Sequence, residues 1–364
     1  MQELFILECT RYFIMKKIRS KISNYFISWK YWKTKKGKRN QYEIYKINKD
    51  IDDLICNLLF FRTTDPFFPI IDESDIWIGP CLNKLKYMSE LYDNTFEEEI
   101  KFIRETFFEA HGEFDKYRGI CIRDIQNREI NIYLKNLDNN KVSLKNNIYW
   151  DISFILDGKI YDKLFRSSIA ENKKLHIFIT MMRYELLLNS KNHQLGINYD
   201  RYKIKFFDIE LFASPINRTL PEFCSAYPDI DKYHKGNLGS MFEFSFQSGK
   251  KYTMNPPYIE YLMTRAVKHL LSEFDRNDVS DVEVFITIPI WDRKILKELS
   301  SRKGEILQEN VPDVPYIPYE LLKNSKYLVK IETFDINDYE YFDHNKQKKI
   351  SVANTFHIVL KKEK

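Results

Sequence analysis

The chain has 364 residues, 30% of them charged, and a net charge of +5; it can bury a full core as one large or two smaller domains, and it lacks the apolar run of roughly 20 residues that spans a bilayer. Cys9, Cys56, Cys81, Cys121 and Cys224 are odd in number, widely spaced and never paired as C-x-x-C, which argues against a disulfide framework and a zinc cluster and leaves reduced thiols, with no metal expected. The charge is uneven: the first 50 residues hold 13 Lys or Arg against Glu3, Glu8, Glu43 and Asp50, a balance of +9 that leaves −4 for the remainder.

The opening stretch MQELFILECTRYFIM carries Glu3, Glu8 and Arg11 through its apolar residues with no small-residue cleavage site behind it, so no secretory signal is expected and the protein is assigned to the nucleus or cytoplasm. NYFISWKYWKTKKGKRN follows, interleaving Tyr25, Phe26, Trp29, Tyr31 and Trp32 with Lys30, Lys33, Lys35, Lys36, Lys38 and Arg39. Phosphate contacts combined with base stacking use such a mixture, and Lys33, Lys35, Lys36, Lys38 and Arg39 are the candidate RNA contacts. Aromatics packed on the body beneath solvated lysines, or an address signal, account for the same residues. From 52 to 125 the pattern is mainly helical, with Ile100, Phe102, Ile103 and Phe107 near the helical period.

REINIYLKNL and NIYWDISFIL read as strands, and KLHIFITMMRYELLL as a long buried helix. YKIKFFDIELFAS is a buried strand, LPEFCSAY a short helix, MFEFSF a short strand, and YTM a strand running into NPPY. Behind it, Ile259, Leu262, Met263, Ala266, Val267, Leu270, Leu271 and Phe274 fall at i, i+3, i+4, i+7 spacing, which predicts an amphipathic helix. DVEVFITIPI is apolar throughout, as in the strands of parallel sheets, and DRKILKELSS is helical. KYLVKIETFD and VANTFHIVLKK are strands without a helix between them and should pair antiparallel. The order is α/β and ends in a hairpin, as a Rossmann-like methyltransferase core does. Two domains are expected: a mostly helical, N-terminally basic RNA-binding region over 1–175, and a Rossmann-like domain over 176–364.

MNPPYIEYLM holds the most informative residues. Two prolines without N–H groups, set between Asn255 and Tyr258, make a rigid, carbonyl-rich corner between a strand and a helix, where open α/β sheets bind ligands. The corner resembles the [DNS]-P-P-[YFW] motif of amino-methyltransferases that act on exocyclic base nitrogens. An adenine N6 lone pair is delocalised into its ring, so acceptors must engage its two N–H groups; Asn255 Oδ1 and the Pro256 carbonyl can do so, and Tyr258 can stack on the base. DIELFASPIN resembles the cofactor signature in which an acid, an aromatic and a small residue precede a glycine loop, with Ser214 and Pro215 in place of the glycines.

From Glu210 to Met263, the E-x-F-A-S-P-x-N stretch, CSAYPD, an S-G turn and NPPY occur in an order that resembles the phosphorylated-CTD-interacting-factor family, the cap-specific adenosine N6-methyltransferases; the likeness runs over about 180–362. It implies S-adenosylmethionine-dependent methylation of N6 on the 2′-O-methyladenosine beside the cap of capped mRNA. Asn255, Pro256, Pro257 and Tyr258 would then be catalytic, and Glu210, Phe212, Ala213, Ser214, Pro215 and Asn217 would lie by the cofactor. Alternatives are an adenine N6-methyltransferase acting on internal RNA or DNA, and a catalytically silent RNA-binding subunit. Tyr258 stands where the family usually has Phe, and no WW module precedes the core. Trp291 could border the base, Glu243 could hold the cofactor ribose, and His344 and His357 read as ordinary loop and strand residues.

Overall fold

A computed structural model describes residues 1–27, 101–103, 105–106, 109–110, 112–187, 194–197, 206–258, 260–291, 295 and 316–363. Lys33, Lys35, Lys36, Lys38 and Arg39, Cys56 and Cys81, and all but Ile295 of the expected DRKILKELSS helix lie outside the described residues. Contacts divide the chain into two compact units, one formed by 1–156 with 170–191 and the other by 157–169 with 192–364.

In the first unit, α1 (Gln2–Ile27) buries Phe5, Cys9, Ile14, Met15, Ile18 and Ile22. Glu8, on the same helix, is fully buried but paired: Arg183 donates to it through Nε at 3.0 Å and Nη2 at 2.6 Å. Arg11 also donates to Glu8, at 2.6 Å, so the buried carboxylate joins two guanidinium groups. α2 (Phe114–Ile125) follows. Then come β1 (Ile132–Leu137), β2 (Lys141–Asn146) and β3 (Ser153–Asp157), a three-stranded sheet in that order with β1 and β2 antiparallel. β1 and β3 fall in the two strand regions read from sequence, and β2 lies between them in a stretch where no strand was expected. The long apolar stretch after them is a helix over Lys173–Met181 that widens to a π-helix over Met182–Leu187.

The second unit begins with α3 (Gly158–Ser167), capped by Asp157, whose carboxylate accepts from the Lys159 N–H at 2.8 Å. β4 (Leu195–Gly196), β5 (Ile209–Ala213) and β6 (Glu222–Ser225) follow. The expectation of a helix at LPEFCSAY is corrected here: Phe223 and Cys224 are fully buried as strand residues beside β5, and the helical turn forms only at α4 (Pro228–Asp231). MFEFSF is not a strand. The Glu243 N–H goes to the Ser240 carbonyl and the Phe246 N–H to the carboxylate of Glu273, far along the chain, while Met241, Phe244 and Phe246 plug the core.

β7 (Lys251–Met254), α5 (Glu260–Asp275) and β8 (Val282–Pro289) come next. Leu262, Met263, Ala266, Val267, Leu270 and Phe274 are buried on one side of α5, as the apolar spacing requires. The chain ends with α6 (Ile317–Lys323), β9 (Leu328–Phe334), β10 (Tyr341–Asp343), β11 (Lys348–Ile350) and β12 (Thr355–Lys362).

The main sheet runs β6-β5-β7-β8-β12-β9; β6, β5, β7 and β8 pair parallel, and β12 is antiparallel to both its neighbours. The predicted pairing of β9 with β12 is present, but the loop between them holds the β10–β11 hairpin, which joins β4 in a small sheet of order β11-β10-β4. β8 lies inside the main sheet, and seven of its eight residues are buried, which is why its sequence does not alternate. After β5 the chain moves to one side with β6 and returns to the other with β7. The switch point therefore lies between β5 and β7.

Candidate functional site

Glu210, the second residue of β5, pairs in register with Thr253, one residue before the end of β7. Leu195, Gly196, Ile197, Glu210, Phe212, Asn217, Thr253 and Asn255 line a narrow crevice beside this pair. Crevices at a switch point are where open α/β sheets bind ligands, because the two neighbouring loops diverge and leave backbone and side-chain groups uncovered. Glu210, Phe212 and Asn217, read from sequence as cofactor residues, thus meet Asn255, read as catalytic. Ala213, Ser214 and Pro215 do not line the cleft; they form the turn beside it. Glu243 is exposed and outside the lining.

That turn shows how a chain without the usual glycines is accommodated. Asn217 Oδ1 accepts from the Ser214 N–H at 2.7 Å, and Ser214 Oγ accepts from the N–H groups of Ile216 and Asn217 at 3.2 and 3.1 Å. Ser214 Oγ donates to Gln194 Oε1 at 2.5 Å. Further on, Glu210 Oε2 accepts from the Thr219 and Leu220 N–H groups at 2.7 and 3.0 Å, and Lys163 Nζ donates to the Ile216 and Arg218 carbonyls at 2.7 and 2.6 Å. The turn is closed by its own side chains rather than left open as a nest of free N–H groups. Burial, with Arg218 nearby, lowers the Lys163 ammonium to about 8.

Asn255 follows β7. Its Oδ1 is buried and has no hydrogen-bond partner among the described residues, a cost of about 1–3 kcal/mol that a ligand donor would relieve. Asn255 precedes a proline and so is held out of the helical region, and neither Pro256 nor Pro257 brings an N–H to compete for that oxygen. Tyr258 is half-buried. Its ring stands edge-on to Trp291 at 6.4 Å and to Tyr341 at 6.0 Å.

Sequence reading missed what fixes Tyr258. The Thr355 hydroxyl donates to the Ala353 carbonyl at 2.9 Å, so at 2.7 Å it accepts from the Tyr341 hydroxyl, which in turn accepts from Tyr258. Burial first, and then Tyr341, push the Tyr258 phenol well above its ordinary value, which keeps it protonated. Trp291, 39% exposed, stands beside Tyr258 and also packs on Tyr316 at 5.8 Å.

The small sheet ties the cleft to the corner, since β10 carries Tyr341 and pairs with β4, whose Leu195 and Gly196 line the cleft. Gly196 has no room for a side chain: a Cβ there would lie 2.7 Å from His344 Nε2. Burial, and then the Lys163 charge, lower the His344 imidazole to about 3, so it stands neutral beside β4. Short strands, remote in sequence from the corner, gave no signal that could have found Tyr341, Thr355, Gly196 or Lys163.

Fold and site together define an α/β protein whose parallel strands carry an Asn-Pro-Pro-Tyr corner at the switch point of a mixed sheet. Residues 159–311 match the family described as "Phosphorylated CTD interacting factor 1 WW domain", and over this stretch the chain is similar to that family. The matched stretch contains a single tryptophan, Trp291, and forms α3, the four parallel strands and α5; the description names the family rather than a WW fold over these residues. The chain is 28% identical over 123 residues to a Mus musculus mRNA (2'-O-methyladenosine-N(6)-)-methyltransferase and 29% identical over 126 residues to one from Homo sapiens. Each alignment takes in 34% of this chain and 17% of the relative.

Proposed function

We propose that this chain is an S-adenosylmethionine-dependent RNA methyltransferase that methylates N6 of the 2′-O-methyladenosine next to the cap of mRNA. The main sheet would be a Rossmann-like class I methyltransferase core, a reading supported by its run of parallel strands closed by the antiparallel β12. The single observation that carries the proposal is the buried Asn255 Oδ1, without a partner among the described residues and lining one cleft with Glu210 and Phe212. The relatives' activity adds the substrate class.

The cleft's chemistry fits part of the cofactor. Glu210 and Asn255 offer oxygen acceptors to a cationic ligand and Phe212 offers a ring face, while the amides of the 214–217 turn are already engaged. When bound, S-adenosylmethionine would supply an electrophilic methyl group. Asn255 Oδ1 and the Pro256 carbonyl would accept from the two N–H groups of the adenine amine, which localises the nitrogen lone pair. Tyr258 would hold the base by stacking. No side chain of matched pKa is required at the start, because the amine can lose its proton after methylation; the protein's task is orientation and electrostatics.

Methyl transfer to capped and uncapped RNAs beginning with adenosine, followed by nucleoside analysis, tests the proposal. N6,2′-O-dimethyladenosine formed only on capped RNA is the expected product. Methylation of internal adenines would move the substrate assignment to internal RNA or DNA. The closed 214–217 turn favours a second reading, a catalytically silent RNA-binding subunit; saturable binding of S-adenosylmethionine in a titration would dismiss it.

A further inference from the structure

The three-stranded sheet of the first unit carries a surface that the corner does not use. Tyr133 on β1 and Trp150 in the loop after β2 are 53% and 63% exposed, and their rings lie parallel within 9° at 5.9 Å. Large aromatics left in water cost hydrophobic free energy and are ordinarily turned inward. The register places Tyr133 opposite Lys145, Lys135 opposite Ser143, and Leu137 opposite Lys141. Residues directly opposite one another share a face, so this face of β1 and β2 holds an exposed ring, three exposed lysines and no carboxylate. None of these lysines makes an ion pair among the described residues; the nearest acids in sequence, Asp138 and Asp151, lie in the flanking loops. On β3, Ile155 is 64% exposed.

We propose that Tyr133 and Trp150, bounded by Lys135, Lys141 and Lys145, form a platform on which single-stranded RNA stacks its bases while its phosphates meet the lysines. The choice of RNA rests on the proposed function; the platform itself does not depend on the corner. Protein-binding surfaces also expose aromatics, but their cores are depleted in lysine. Parallel rings that share a sheet face with three exposed lysines suit a polyanion with flat bases.

The test uses the full chain and a fluorescein-labelled, A/U-rich single-stranded RNA of about 12 nucleotides, within the usual site size for such surfaces. Anisotropy is read without S-adenosylmethionine across a salt series. Trp150→Ala and Tyr133→Ala should each weaken binding about tenfold, and Trp150→Phe should stay within about threefold of wild type, because a stacked ring is retained. Replacing Lys135, Lys141 and Lys145 with Gln should lower the log–log salt slope by about 2. Circular dichroism of each variant checks that it is folded. Wild-type affinity and slope in these variants would overturn the platform, as would equal competition by duplex RNA, whose bases are not free to stack. A change in self-association on light scattering with RNA affinity unchanged would assign the face to a second copy of the chain instead. Failure of methyl transfer while these binding effects persist would remove the proposed activity and leave the platform standing.

Discussion

The Tyr258 hydroxyl donates to the Tyr341 hydroxyl, joining the residue after the double proline to the small sheet that also borders the cleft. A ring held this way has one orientation before any base arrives. Tyr341→Phe removes the acceptor, and loss of one hydrogen bond is worth about 0.5–1.5 kcal/mol, so kcat should fall about two- to tenfold. Tyr258→Phe keeps the stacking face and should cost less. Tyr258→Ala should lose the roughly 1–3 kcal/mol of base stacking. Steady-state kinetics on capped RNA distinguish the three; a loss in Tyr258→Phe as severe as in Tyr258→Ala would refute the stacking role.

Asn255→Ala should lower kcat by about 10²–10³, the usual cost of one oriented contact made in the transition state. Stability should hold or rise slightly, since the substitution removes a buried oxygen that has no partner among the described residues. Urea unfolding alongside the methyl-transfer assay checks both. Wild-type turnover in this variant would place catalysis elsewhere.

Glu210 has a structural duty that the cofactor assignment alone does not include. Its Oε2 accepts from the Thr219 and Leu220 N–H groups, so Glu210→Ala should destabilise the protein by about 1–3 kcal/mol, chiefly through the buried Leu220 donor left unsatisfied. Glu210→Gln keeps an oxygen acceptor and should cost less than half as much. If both variants bind cofactor normally once folded, measured by calorimetry, Glu210 serves the turn only.

Lys163 gives a pH signature. Its folded-state value of about 8 lies below the ordinary 10.5, so between these two values the unfolded chain binds more protons and stability rises with pH. Below about pH 8 the buried charge is present in both states and its full penalty applies. Lys163→Met removes the titration, so the stability of wild type relative to the variant should climb by roughly 2 kcal/mol from pH 8 to 10.5, read by urea unfolding at several pH values. A constant difference would show that the ammonium is not desolvated.

The amino-acid order by itself determined the elements whose local pattern and tertiary role agree. The spacing from Leu262 to Phe274 requires a helix because one side must be buried, and the unbroken apolar run of β8 requires an inner strand because both faces are covered. The corner was legible because two prolines restrict the backbone wherever they occur. Tertiary structure decided the rest. Glu222–Ser225 carries no strong strand signal and is extended because β5 offers it a ladder, while Met241–Phe246 alternates like a strand yet sends the Glu243 N–H to Ser240 and the Phe246 N–H to Glu273 on α5 rather than to a neighbouring strand. Glu210, Asn255 and Tyr341 lie far apart in the chain and meet through β5, β7 and β10, since sheet neighbours are chosen by packing and hydrogen bonding across long loops. No periodicity encodes such a pairing. The residues that hold the corner in place, Tyr341 and Thr355, became visible only once the strands were side by side.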